Sequence, residues 1–350
     1  HMPGAIVAEL ADDQIPQGAV LLGHTTQEGV IALEGDSAGV EELCALWEGV
    51  LEGVYPTDPG TQDEPVPVIS WQGRSPAVFT QQVGQPRAII PVFPGTNCEY
   101  DTAAACRKAG IQPEILVVRN LTPQALQESA DALAQAIGRS QMMILPGGFS
   151  GGDEPDGSAK FIVSFLRNPK LTDSVHDLLH RRDGLMLGIC NGFQALIKLG
   201  LVPFGEIRPT DDSCPTLTFN LIGRHQSRYV ATRVASVNSP WMLRSQVGDI
   251  HQIAISHGEG RFVAPQEVVE QLIANGQVAT QYVDPCTGKP SMGIHCNPNG
   301  SMACIEGVFS PDGRVFGKMG HTEREGAFVG KNIPGNKYQP IFESGAYYFR

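Results

Sequence analysis

Long apolar runs, a leader segment, paired cysteines and basic clusters are all missing from this 350-residue sequence. No window approaches the roughly 18 consecutive apolar residues of a membrane span, and no charged, apolar and cleavage-site series opens the chain. These absences predict a cytoplasmic protein with no membrane partner. The eight cysteines are scattered without a C-x-x-C pair, which speaks against a disulfide framework and a structural zinc site. Lys plus Arg total 25 against 37 Asp plus Glu, a formal charge of −12 with no Lys/Arg-rich run, so a nucleic-acid partner is not expected. Internal repeats and low-complexity tracts are lacking too. What the chain holds in quantity is 40 glycines and 26 prolines with only 18% charged residues, the composition of a loop-rich α/β enzyme.

At roughly 150 residues per domain the length allows about two domains. Residues 1–54 read as short strands followed by a helix whose Val40, Leu43, Trp47, Val50, Leu51 and Val54 share one stripe. His1-Met2 looks like a cloning remnant, and no natural start follows it, so the chain is expected to be cut from a longer polypeptide. Residues 55–87, with Pro56, Pro59, Pro65, Pro67, Pro76 and Pro86, read as an extended linker over a surface. From 88 to 350, short apolar runs alternate with helical stretches, the signature of an open, mostly parallel sheet flanked by helices. Ala88 to Phe93, Ile115 to Val118, Met142 to Leu145 and Leu185 to Ile189 are the expected strands. β-branched runs and hairpin-like turns take over after Leu217, ending in a strand near Arg314 to Met319.

The segment Leu185 to Gln194 is an apolar strand that stops at Cys190 and turns at once into a helix. Small residues at Gly188 and Gly192 suit a nucleophile elbow, because so sharp a turn brings backbones together. Cys190, held at a helix's positive N-terminus, is the candidate nucleophile, the plainer alternative being a buried structural thiol. At the carboxyl end of another strand lies Pro146-Gly147-Gly148-Phe149-Ser150-Gly151-Gly152-Asp153. There the Gly148 amide can pair with that of Asn191 as an oxyanion hole. A phosphate loop is disfavoured by the missing Gly-Lys-Ser/Thr ending. A cysteine nucleophile needs a base and an orienting group. Two His-x-Glu pairs offer them, His257 with Glu259 and His321 with Glu323. The i, i+2 spacing puts either pair on one side of an extended segment and does not choose between them.

Six motifs in order resemble the class I glutamine amidotransferase domain of the phosphoribosylformylglycinamidine synthase family. They are Pro94-Gly95-Thr96-Asn97-Cys98, the stretch from Pro146, Gly188-Ile189-Cys190-Asn191-Gly192-Phe193-Gln194, His257-Gly258-Glu259-Gly260-Arg261, Asn297-Pro298-Asn299-Gly300-Ser301 and Gly320-His321-Thr322-Glu323-Arg324. The likeness covers 88–350, and more weakly 1–54 resembles the tail of the synthetase portion that precedes such a domain in single-chain forms. The resemblance implies a flavodoxin-like fold and a Cys190, His321 and Glu323 triad hydrolysing L-glutamine. It also gives Gly148, Ser150, Gln194, His257, Gly258 and Glu259 to the glutamine pocket. Ammonia would pass to a synthetase portion of the same polypeptide for ATP-dependent conversion of formylglycinamide ribonucleotide in purine biosynthesis. No cofactor or metal is expected here, with ATP and Mg confined to that synthetase part. The rival readings are an amidotransferase for another acceptor and a non-catalytic docking module of the same shape. Where the family commonly reads Pro-His-Pro-Glu-Arg, this chain has Gly320 and Thr322, which predicts a less rigid loop around His321.

Overall fold

The computed structural model describes residues 4–12, 14–61, 64–79, 82–149 and 158–350. The chain divides into two compact units, 1–57 and 58–350. In the smaller, strands β1 (Val30–Leu33) and β2 (Asp36–Gly39) form an antiparallel hairpin that runs directly into helix α1 (Val40–Glu48). Helix α1 is shorter than the apolar stripe suggests: Gly49 caps it, so Val50, Leu51 and Val54 fall beyond its end. Gly49 itself keeps right-handed backbone angles and bonds the Ala45 carbonyl, and glycine's low helix propensity with a second glycine at 53 disfavours a further turn.

The proline-rich stretch expected as a linker belongs, from Asp58 on, to the larger unit. Strand β3 (Trp71–Arg74) pairs with Ser236 and Val237, the Ile69 amide donates to Gln281, and Phe79 packs edge-on against Phe349 at 4.7 Å. Side-chain anchors at wide spacing are invisible to a composition count.

The larger unit continues with β4 (Arg87–Val92), α2 (Glu99–Lys108), β5 (Gln112–Val117), α3 (Pro123–Arg139) and β6 (Met142–Leu145). Helices α4 (Lys160–Leu166) and α5 (Pro169–His176) lead to β7 (Leu185–Ile189), α6 (Asn191–Leu199) and the short α7 (Leu201–Phe204). Proline in the first turn and the Thr122 side chain, which accepts from the Ala125 amide at 3.1 Å, start α3 where the sequence places it. Then come β8 (Thr216–Phe219), β9 (Gln226–Val234), β10 (Ser236–Val237), β11 (Ile250–His257), β12 (Glu259–Val263), α8 (Gln266–Ala274), β13 (Val278–Val283), β14 (Ile305–Phe309), β15 (Val315–Lys318) and α9 (Ile341–Tyr348).

Nine of these strands form one sheet in the order β11-β9-β13-β14-β15-β7-β6-β4-β5. The run from β15 to β5 is parallel, as expected, but the four strands from β11 to β14 join antiparallel. The sheet is therefore mixed rather than mostly parallel. Burial explains the two halves: every residue of β6 and β7 is buried, whereas β11 alternates buried and half-buried positions. β11 also returns to bridge Ala254 to His321, so the antiparallel half bends back over the carboxyl ends of the parallel strands. Among the described residues no helix is long and apolar enough to cross a membrane.

Candidate active site

Four neighbouring strands, β4, β6, β7 and β15, end at the same edge of the sheet, where open α/β sheets hold their ligands. Cys190 follows β7 directly, and its amide donates to the Lys318 carbonyl of β15 at 2.8 Å. Its backbone has φ 53° and ψ −107°, a conformation that costs a non-glycine residue about 1–3 kcal/mol and persists because packing forces it. That packing is visible at the two flanking glycines. A Cβ on Gly192 would lie 2.0 Å from the Leu145 carbonyl oxygen, and one on Gly188 would lie 2.7 Å from the Gly192 carbonyl. The elbow expected from sequence is present, with Cys190 capping the N-terminus of α6.

His321 lies three residues past β15, its amide bonded to the Ala254 carbonyl at 2.8 Å. Its Nδ1–H donates to Glu323 Oε1 at 2.7 Å, with both side chains buried; the Cys190 sulfur is near enough to act on the charge of the ring, while its own hydrogen bond runs to the Ser256 carbonyl at 3.7 Å. Burial opposes charge on this imidazole, yet the Glu323 carboxylate and the Cys190 sulfur together hold its pKa well above the ordinary value. For Glu323 burial likewise works against charge, and the His321 imidazolium overcomes it and lowers the carboxyl pKa. Of the two His-x-Glu pairs, the structure thus brings His321 and Glu323 to Cys190. A Cβ on Gly147 would stand 2.6 Å from His321 Cε1 and 3.5 Å from Cys190 Cβ, so the Gly147 backbone closes over both groups.

Two residues join the site without a separate sequence signal. Cys98, the last residue of the Pro94 motif, has its Sγ 3.9 Å from His321 Nδ1, and Arg324 Nη2 donates to that sulfur at 3.0 Å. Asn220 is the other: its Oδ1 accepts from His257 Nδ1–H at 3.1 Å, and its Nδ2 donates to the His257 carbonyl at 2.8 Å.

Around the sulfur, Gly148 pairs across from Thr96 in a bridge made by the Asn97 and Phe149 amides, which leaves the Gly148 amide out of its bonds. Asn191 opens α6 fully buried. Gln194 is less available than a pocket residue should be: its Oε1 accepts from Asn191 Nδ2 at 2.8 Å and its Nε2 donates to the Glu259 carbonyl. It ties α6 to β12. His257 ends β11 with its Nε2 buried, Gly258 has open space at its Cβ position, and Glu259 Oε2 accepts from the Ser158 amide; among the described residues neither His257 Nε2 nor Glu259 Oε1 has a partner. Unpaired buried polar atoms beside open space suit a polar ligand. Ser150 lies outside the described residues.

Burial pushes the His257 imidazole down to about 3, and the charges of His321 and His225 add to the effect. Burial also lowers His251, to about 4. Both are neutral when folded and titrate near about 6.5 when unfolded. Their contribution to stability is therefore complete above about pH 6.5 and is lost as pH falls toward 4 and 3. His321 has the opposite sign: its contribution is present below about pH 6.5 and fades as pH rises. Urea unfolding at pH 5 is expected to give a free energy lower by about 2 kcal/mol or more than at pH 7. His251→Gln, remote from the sulfur, should remove roughly half of that drop. An equal drop in the variant would contradict the assignment.

Among the described residues two groups have metal-ligating atoms within 4.8 Å of one another, Cys98–His321–Glu323 and Asp284–His295–Cys296. In the first, the Arg324 guanidinium already sits on the sulfur and repels a cation; in the second, Asp284 Oδ1 accepts the Cys286 and Thr287 amides.

Comparison with known proteins agrees with this architecture. The CobB/CobQ-like glutamine amidotransferase domain family matches residues 85–349. The phosphoribosylformylglycinamidine synthase subunit PurQ of Aquifex aeolicus is 33% identical over 237 residues, covering 67% of this chain and 89% of that protein. The same-named subunit of Mycolicibacterium paratuberculosis is 36% identical over 234 residues, covering 67% and 85%. Among solved structures, PurLQS from Thermotoga maritima aligns with a TM-score of 0.54 at 27% identity, over 76% of this chain and all of that one. The chain thus belongs to the CobB/CobQ-like glutamine amidotransferase family, as an amidotransferase domain of the phosphoribosylformylglycinamidine synthase type.

Proposed function

We propose that this domain hydrolyses L-glutamine to glutamate and ammonia with Cys190 as nucleophile, His321 as proton carrier and Glu323 as its orienting partner. The Cys190 thiolate attacks the side-chain amide carbon, and the Gly148 and Asn191 amides receive the oxyanion. The His321 imidazolium gives its proton to the departing nitrogen as the carbon–nitrogen bond breaks, leaving a glutamyl thioester and ammonia. His321, now neutral, takes a proton from the water that attacks the thioester, and the thiolate departs. Glu323 stabilises the imidazolium at each stage through its bond to Nδ1. His257, Gly258 and Glu259 line the glutamine pocket with Ser150, while Gln194 holds that wall to α6.

The ammonia then serves a synthetase that converts formylglycinamide ribonucleotide with ATP and Mg, neither of which this domain needs for its own step. We place that synthetase on the same polypeptide, with residues 1–54 as its tail, in the cytoplasm. The names of the PurQ relatives and the PurLQS likeness support the partnership.

The observation that carries the reading is the strained Cys190 facing an imidazole that is itself bonded to a buried carboxylate. A chloroketone analogue of glutamine is the test. Mass-spectrometric mapping should place the adduct on Cys190 and spare the other seven cysteines; among them burial pushes Cys106 and Cys304 up to about 12, where they stay as unreactive thiols. Free glutamine should protect. An adduct on another cysteine, or none, overturns the assignment.

A further inference from the structure

We infer that the buried Glu306–Lys318 ion pair, joined to the Gly320 amide and the Thr322 hydroxyl, is the device that positions His321 and Glu323. The inference rests on the roles proposed above for those two residues.

Both charged side chains are 0% exposed, and each is held by further hydrogen bonds besides the pair itself. The Lys318 ammonium reaches the Gly320 carbonyl at 2.8 Å, the Thr322 hydroxyl at 2.9 Å and Glu306 Oε1 at 3.4 Å. Glu306 Oε1 accepts from the Gly320 amide at 2.6 Å, and its other oxygen accepts from the Thr280 hydroxyl. The Thr322 hydroxyl donates to Gln339 Oε1 at 2.8 Å. Proline at 320 has no N–H to give Glu306, and proline at 322 has no hydroxyl for Lys318. Even a Cβ at 320 would stand 2.7 Å from Ile253 Cγ2. The loop that lacks proline rigidity is instead pinned on both sides of His321 by side chains of β14 and β15.

A buried ion pair is a poor device for stability alone, because an apolar pair of equal volume often does as well. Its value is directional. Glu323 has one oxygen bonded to His321 and the other without a partner among the described residues, so its ionised form depends on nearby charge as well as on that bond. The groups facing this pair are Cys190 of the elbow, Cys98 and Arg324 on one side, His257 on another, and Lys318 with Glu306 behind. Lys318 favours the Glu323 carboxylate.

Three variants test the inference: Thr322→Val, which keeps the shape and drops the hydroxyl, Thr322→Ser, which keeps the hydroxyl, and the double Glu306→Gln/Lys318→Met, which removes both charges together. In the full chain, Thr322→Val should lower kcat for glutamine about 10-fold with KM within about two-fold, and Thr322→Ser should recover most of the loss. The double variant should lose about 100-fold in kcat. With His321 displaced, its Cys190 should alkylate with iodoacetamide along a pH profile moved upward by about half a unit or more. Wild-type kcat in Thr322→Val, or a folded double variant with an unmoved alkylation profile, overturns the inference. Alkylation is read without turnover, so protein that labels normally at Cys190 yet releases no ammonia counts against the hydrolase reading, and the profile still decides the positioning role.

Discussion

Replacing His321 with glutamine is expected to lower kcat for glutamine hydrolysis by at least about 10³-fold, whereas the same change at His257 should raise KM by about 10-fold and spare most of kcat. The two imidazoles are both buried, both within a His-x-Glu sequence and both near the carboxyl edge of the sheet. Their electrostatics separate them. His321 is held well above the usual imidazole range by Glu323 and Cys190, so it can hold a proton beside a thiolate and deliver it to leaving nitrogen. His257 is pushed down to about 3, its Nδ1–H is fixed on Asn220, and it stays neutral throughout the working range. A neutral ring whose Nε2 has no partner among the described residues can accept from an amide N–H or an ammonium group but has no proton to donate at neutral pH. Steady-state assay of ammonia release on His321→Gln and His257→Gln checks the pair. A kcat collapse at 257 with a KM change at 321 would reverse the roles.

The second large effect belongs to a residue with no chemistry. Gly192→Ala would set a methyl group 2.0 Å from the Leu145 carbonyl oxygen, backbone against backbone, with no rotamer to relieve it. Overpacking of this kind costs about 3 kcal/mol, and the shift of α6 away from β6 would carry the Cys190 amide and sulfur with it. A fall in the thermal midpoint of about 5 °C, with loss of Cys190 labelling by the glutamine analogue, is the expected outcome. Gly258→Ala is the matched control for stability, since nothing stands within 4 Å of its Cβ position. Equal melting of the two variants would show that the elbow tolerates a side chain at 192.

Much of this arrangement was legible beforehand because it is local. The elbow is written in Gly188, Cys190 and Gly192, the strands Met142–Leu145 and Leu185–Ile189 in continuous apolar runs, and helix α3 in its Thr122-Pro123 start. Less local features read poorly. The proline-rich stretch looks like a spacer until Ile69, Trp71 and Phe79 are seen with Gln281, Ala235 and Phe349, partners more than 160 residues away. Gln194 shares a motif with the nucleophile, yet its amide is consumed by Asn191 and Glu259. Substituting glycine and threonine for prolines suggests slackness at His321, until the charges behind it come into view.

The sequence by itself determined which atoms are available: one sulfur at a forced bend, two histidine–carboxylate pairs at equal spacing, and a glycine-rich strand end to supply amides. It did so because turn geometry, helix starts and side-chain period depend on neighbours a few positions apart. Which imidazole meets the sulfur was decided only by tertiary packing. Parallel pairing of β15 with β7 sets Lys318 beside Ile189 and brings His321 to Cys190, while β11 meets the sulfur through the Ser256 carbonyl and its His257 ring is bonded to Asn220 instead. Identical i, i+2 spacing then yields one charged pair and one neutral ring, because burial and charge are properties of the surroundings and not of the pair.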